Sequence, residues 1–229
     1  MAKKLSTFQQ LRELKPWAAQ AFCLAVLARM VPHFTLFQEA QQQAPSEHDE
    51  IVDPHIADHV LSLLWSHLSD PKQKFNIGVQ LEKIEAATPD YHYGDGFGAL
   101  PAMDACLGLA AVLRLLQQEQ LDAAVVVAKL AQGGVEAYLL MTEFASQQAT
   151  LETLTDEAYD QALRDLNTAL KAHPLMQFEV SYQQDLISVL ASANSGKLPD
   201  RVAFVKRLQA LVAETEMTTL GIELSLDMG

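Results

Sequence analysis

The stretch PWAAQAFCLAVLARMVPHF, residues 16–34, decides the fold class. Pro16 suits the first position of a helix, where its fixed φ is already helical and its missing N–H would have had no partner. Trp17, Phe22, Leu24, Val26 and Leu27 follow, and the pattern predicts a helix to about Met30 that is largely apolar around its circumference. Such a helix belongs in a core or a membrane. The apolar run from Ala18 to Leu27 is shorter than the roughly 20 residues a bilayer requires. A secretory leader fits poorly, because Glu13 interrupts the basic group Lys3, Lys4, Arg12 and Lys15, and no small-x-small cleavage pattern follows before Arg29. The stretch reads as the core helix of a cytoplasmic protein.

Helical periodicity continues outward from it. Ser6 predicts a cap for a short first helix, and Pro32 the start of a short one through Phe34, Leu36 and Phe37. The polar segment Gln41–Asp53 reads as an exposed loop, and Asp53-Pro54 as cap and first position of a helix ending near Pro71. Further helices are expected over Asn76–Ala87 and from Pro101 through Leu116. Leu121–Gln148 reads as one long helix with Gly133-Gly134 as its weak point. Thr155, Asp156 and Glu157 open an amphipathic helix whose stripe is Tyr159, Leu163, Leu166 and Leu170. Pro174 and Pro199 mark two more, the last ending near Glu216. The expected architecture is all-α, a multi-helix bundle forming one domain over residues 1–229.

The C-terminal end departs from this pattern. Leu220, Ile222, Leu224 and Leu226 alternate with polar residues, the period of a half-buried strand. A short C-terminal strand would need a pairing partner, and a second copy of the chain could supply one. The simpler reading is an extended tail with its leucines laid on the helices.

Composition narrows the function classes. Hydrophobic residues make up 49% of the 229, and Gly and Pro together number only 19, which excludes collagenous, low-complexity and turn-rich all-β chains. Cys23 and Cys106 lie inside apolar helices and read as buried, reduced thiols. The formal charge is −13, which repels phosphate backbones and argues against nucleic-acid binding. The first 32 residues run against that trend, with five basic groups and one acidic group.

Three sets of residues could carry chemistry. His55 and His59, four apart with Asp58 between them, could present two imidazoles to a metal. They share a polar strip with Ser62 and Ser66, while His67 falls in the apolar stripe of Val60, Leu64 and Leu68. Without an HExxH pattern or cysteine ligands the pair reads as a solvated face, so no metal site and no cofactor are expected. The loop TPDYHYGDGFGAL, residues 88–100, lacks the preceding strand and the lysine of a phosphate cradle. Tyr91, His92, Tyr93 and Phe97 could line a pocket there or pack down as a lid. Third, Glu82 and Glu85 share a helix face, and Asp104 opens the next helix; across the loop they could meet His92 and hold a ligand or divalent cation.

The segments PWAAQAFCLAVLARMVPHF (Pro16–Phe34), KFNIGVQLEKIEAATP (Lys74–Pro89) and LPAMDACLGL (Leu100–Leu109) resemble the YjaG-like bacterial family, a domain of unknown function. The resemblance is clearest over residues 16–115. It implies a cytosolic, mainly helical bacterial protein and brings no catalytic residue with it. It places Gln80, Leu81, Glu82, Lys83, Asp104 and Cys106 inside family-like motifs.

The expected function is therefore a non-enzymatic cytoplasmic role exerted through protein–protein contacts. It would be that of a homodimer with an unknown protein partner and without nucleic-acid or membrane binding. The motives are the missing catalytic motif, the apolar AAVVVAKLA run (Ala123–Ala131) and the alternating tail. The alternative is a small-ligand or divalent-metal site near the 88–100 loop, in a binding protein or an enzyme, using Glu82, Glu85, His92 and Asp104.

Overall fold

The computed structural model describes residues 5–43, 52–90, 97–151, 153–194 and 200–224. These residues form ten helices: α1 (Thr7–Arg12), α2 (Pro16–Gln43), α3 (Ile56–Ser69), α4 (Ile77–Ala87), α5 (Ala99–Leu116), α6 (Ala123–Met141), α7 (Ala145–Leu151), α8 (Asp156–Ala172), α9 (Pro174–Asn194) and α10 (Arg201–Ala213). The all-α expectation holds, with no sheet among the described residues.

Local chemistry sets several of the boundaries. Ser6 accepts from Gln9 N while Gln9 returns a bond to Ser6 N, a complete capping box for α1. Asn76 caps α4 by accepting from Val79 N, and Asp200 caps α10 by accepting from Val202 N and Ala203 N. Asp53 does not cap α3 directly. Its carboxylate accepts from His55 N in a short turn, and the helix starts at Ile56.

α2 is longer than expected. Pro32 does not start a new helix but lies within α2, which runs unbroken to Gln43. A proline inside a helix removes one hydrogen bond and crowds the preceding turn. Here tertiary burial outweighs that cost, because Met30, Val31, Phe34 and the whole run Ala18–Leu27 are buried. α3, α5, α6, α9 and α10 all pack against α2, which accounts for its apolar circumference. α5 comes so close that a Cβ on Gly108 would stand 2.6 Å from Leu27 Cδ2. A larger residue at 108 would force the buried Leu27 side chain to move.

With its full length, α2 joins α5 and α6 as helices long and apolar enough to cross a bilayer. The short apolar run thus understated α2. In the fold, the most apolar windows of α2 and α5 are each 72% buried, whereas that of α6 is 44% buried.

The long helix expected from Leu121 to Gln148 is two helices. α6 passes through Gly133-Gly134 without ending and stops at Met141. Thr142 Oγ1 then donates to Tyr138 O, Phe144 N bonds back to Leu139 O, and α7 follows. The AAVVVAKLA run is absorbed inside the chain: Ala123, Ala124, Val125, Val127, Ala128 and Ala131 are buried, and exposed Lys129 reaches over the Phe8 ring. It therefore no longer argues for a subunit interface.

The C-terminal strand reduces to one isolated antiparallel bridge, Met217 to Glu223, closed through Gly221 at φ +76°. Thr218, Thr219 and Leu220 are buried, whereas Ile222 is 45% exposed. Period two fails because the turn points its threonines inward for hydrogen bonding. Leu226, Pro199 and most of the 41–53 segment lie outside the described residues. A smaller apolar cluster, Val135, Leu139, Leu166, Leu170, Met176 and Leu220, gathers where α6, α8, α9 and this turn meet.

Candidate functional site

The most concentrated buried polar chemistry lies where α2, α6, α9 and the C-terminal turn converge. Arg29 and Glu179, both fully shielded from solvent, form an ion pair at 2.6 Å between Nη1 and Oε2. Arg29 also donates from Nε to Met217 O and from Nη2 to Thr218 O, and its guanidinium lies over the rings of Tyr182 and Phe178. The second carboxylate oxygen of Glu179 accepts from Gln183 Nε2, which also reaches Ala128 O. Gln132 Nε2 donates to Gln183 Oε1. Tyr182 donates its hydroxyl to Ala25 O, and burial raises its phenol well above the ordinary range. A charge this deep is tolerable only when paired and hydrogen-bonded, and here both ions are. The network engages every nitrogen of the guanidinium, so it works as a clamp between elements.

His33 sits one helical turn after Arg29 and pairs its Nε2 with Thr219 Oγ1 at 3.1 Å. Burial, with the Arg29 charge behind it, lowers its pKa from 6.5 to about 4. The imidazole is neutral at pH 7.

Asp104 is a different case. It is 8% exposed, and burial raises its carboxyl from 3.8 to about 7. Among the described residues no donor reaches it. A Cβ on Gly134 of α6 would lie 3.5 Å from Asp104 Oδ2, which places the carboxylate against α6 in ordinary contact. One turn on, Tyr138 meets Phe97 with ring centroids 5.5 Å apart, bringing the end of the 88–100 loop over this part of α6.

The acidic set does not assemble around it. Glu82 is exposed, and Glu85 pairs with Arg114 in the last turn of α5, ten residues beyond Asp104 on the same helix. His92, with Tyr91 and Tyr93, lies outside the described residues. His55 contacts Asp58 at 3.8 Å on the surface, and His59 is exposed without joining it. Asp58 is instead held by Thr35 Oγ1. No group of three metal-ligating side chains occurs among the described residues. His67 takes the core-edge role read from its stripe, bonding Gln73 O and standing edge-on to Phe75. Cys23 and Cys106 are buried; Cys106 is pushed up to about 12 and Cys23 further, which leaves neither as a ready nucleophile.

Two grooves with apolar lining open at the α6–α8 surface. One groove of about 310 Å³ runs between Leu140 of α6, Leu151 of α7 and the α8 stripe, with Glu136 and Asn167 at its edge. A second, of about 370 Å³, lies on the other side of Leu151 and Leu166, floored by Phe144, Ala162 and Ala169.

Comparison with known proteins places the chain. Residues 6–223 match the family described as Protein of unknown function (DUF416). The chain belongs to the DUF416 family. Its relatives include the uncharacterised protein YjaG of Escherichia coli K12 and that of Salmonella typhimurium, each 28% identical over 214 residues, 93% of this chain and 94% of theirs. An uncharacterised Haemophilus influenzae protein is 32% identical over 136 residues, 59% of this chain and 65% of its own length. The crystal structure of a DUF416 family protein from Shewanella baltica superposes with a TM-score of 0.76 at 29% identity, covering 96% of this chain and all of that one. The YjaG-like resemblance of residues 16–115 thus extends over nearly the whole DUF416 fold.

Reasoning from the sequence missed the Arg29–Glu179 clamp. A signal was present: Arg29 interrupts an otherwise apolar helix, and a charge there needs a buried counter-charge. Nothing in the pattern named Glu179, 150 residues away, as that partner.

Proposed function

We propose that this DUF416 chain is a non-enzymatic cytoplasmic protein that acts through protein–protein contacts as a homodimer. The observation that carries this reading is the unfinished stripe of α8. Leu166 and Leu170 are buried, but Leu163 is half-buried and Tyr159 is 40% exposed beside the α6–α7 groove. An amphipathic helix that leaves part of its apolar face uncovered next to a groove has the form of an interaction surface. Two buried, unpaired thiols suit a reducing compartment. Sedimentation equilibrium of the purified chain over a wide concentration range tests the proposal. A dimer is the expected result, and a monomer at every concentration overturns it.

One observation favours a second reading, a small-ligand or divalent-cation site beside the 88–100 loop. Asp104 is a buried carboxyl without a described donor, the environment in which a carboxylate is held for a cationic partner. A thermal-shift screen of metal-stripped protein against divalent cations and small cationic metabolites tests it. A concentration-dependent rise in Tm that Asp104→Asn abolishes supports it. A flat response removes it.

A further inference from the structure

We propose that α8 is the dimer interface, and that two copies pair α8 against α8 in antiparallel fashion about a two-fold axis near Leu163. The inference rests on the homodimer reading above and supplies its geometry.

Three observations on this helix point the same way. The first is shape. Tyr159, 40% exposed, stands in the N-terminal half of the stripe on the wall of a groove that it lines together with Leu140, Leu151, Leu163 and Leu166. A two-fold interface needs the same patch to supply both knob and hole, and this patch contains both.

The second is charge. On a helical wheel Asp156, Asp160 and Lys171 border the stripe on one side, the acids at the start of α8 and the base in its last turn. An antiparallel pairing centred between Leu163 and Arg164 puts Asp156 of each copy opposite Lys171 of the other. A parallel pairing would keep the acidic starts of both helices at one end and their lysines at the other, so only the antiparallel arrangement brings these opposite charges together. Helix dipoles favour the same choice, each positive end lying beside a negative one.

The third is the neighbourhood. α7, beside this patch, has no buried residue of its own, although Leu151 and Phe144 at its ends carry large apolar side chains. Both grooves flank it, so a second α8 lying here would cover α7 as well as the stripe.

The experiment uses the full chain. Leu163→Cys is expected to form an intermolecular disulfide on mild oxidation, because a residue near the axis meets its own copy; Cys23 and Cys106 are buried and do not compete. Val202→Cys, exposed on α10, is the control and is expected to stay monomeric on a non-reducing gel. In sedimentation, Lys171→Glu is expected to raise the dimer dissociation constant about tenfold, and Asp156→Lys combined with Lys171→Glu to restore it. Both positions are exposed, and a far-UV circular-dichroism spectrum matching that of the parent shows that each variant is folded. A dimer whose dissociation constant ignores Lys171→Glu, and whose Leu163→Cys form does not cross-link, overturns this interface but leaves the homodimer reading standing. A chain that is monomeric throughout overturns both.

Discussion

Arg29 Nη1 and Glu179 Oε2 meet at 2.6 Å with both side chains fully shielded from solvent, joining the central helix α2 to α9 across 150 residues of sequence. The same guanidinium holds Met217 O and Thr218 O, so one side chain secures two parts of the chain at once.

Removing either ion leaves the other buried and alone. Arg29→Leu is expected to cost about 3–5 kcal/mol. It should also release the C-terminal turn, because two carbonyls lose their donors. Chemical denaturation gives the first quantity, and hydrogen exchange over residues 216–224 the second. Glu179→Gln keeps an acceptor beside Arg29 and should cost less. Equal protection of the turn in Arg29→Leu and the parent would contradict the clamp.

His33 and Asp104 make opposing contributions to stability with pH. His33 falls from 6.5 to about 4 on folding, so its contribution is full above pH 6.5 and is lost as pH drops toward 4. Asp104 rises from 3.8 to about 7, so its contribution is full below pH 3.8 and is lost as pH climbs through 7. Asp104→Asn should therefore stabilise the protein at pH 8, by up to roughly 1.4 kcal/mol for each unit of the raised pKa. It should also steepen the loss of stability between pH 6.5 and 4 that His33 causes. Tm against pH for parent and variant checks both. A variant less stable than the parent at pH 8 would mean that Asp104 has a partner.

Two glycines should respond in opposite directions to the same substitution. Gly108→Ala drives a methyl to within 2.6 Å of Leu27 Cδ2 in a packed core and should cost about 1–3 kcal/mol. Gly133→Ala meets nothing within 4 Å in mid-helix and should stabilise by about 0.5–1 kcal/mol. Urea midpoints for the pair decide the matter.

The two thiols should be slow to react. With Cys106 raised to about 12 and Cys23 higher still, an aromatic disulfide reagent should label neither within minutes at pH 8 in the folded protein. Both should react at once in denaturant. Fast labelling of either in the native state would show that its helix opens readily.

Much of the architecture was legible from local pattern. The cap at Ser6, the apolar circumference of α2 and the stripe of α8 are properties of neighbouring residues, and the chain folds there as its neighbours dictate. The failures share one cause. Pro32 looked like a helix start, Leu121–Gln148 looked like one helix with its weak point at Gly133-Gly134, and the alternating tail offered a short strand beside the simpler extended reading, because each is a local signal that packing overrides. The apolar contacts around Val31 and Phe34 carry α2 past its proline. Hydrogen bonds from Arg29 and His33 turn Thr218 and Thr219 inward. α6 runs on through Gly133-Gly134 to Met141.

The candidate sites divide in the same way. His67 was placed correctly from its helical position, since its surroundings lie within the stripe and the turn that follows. Glu85 and Asp104, grouped as one candidate site across the 88–100 loop, do not meet, because Glu85 pairs with Arg114 in the last turn of α5. By itself the sequence determined that the chain is helical, apolar-cored and acidic, because periodicity and composition act over a few turns. Only the tertiary structure decided which charges are buried, which glycine lies at a close helix contact and which apolar stripe stays partly uncovered. Those depend on segments far apart in sequence that touch only after the chain has folded.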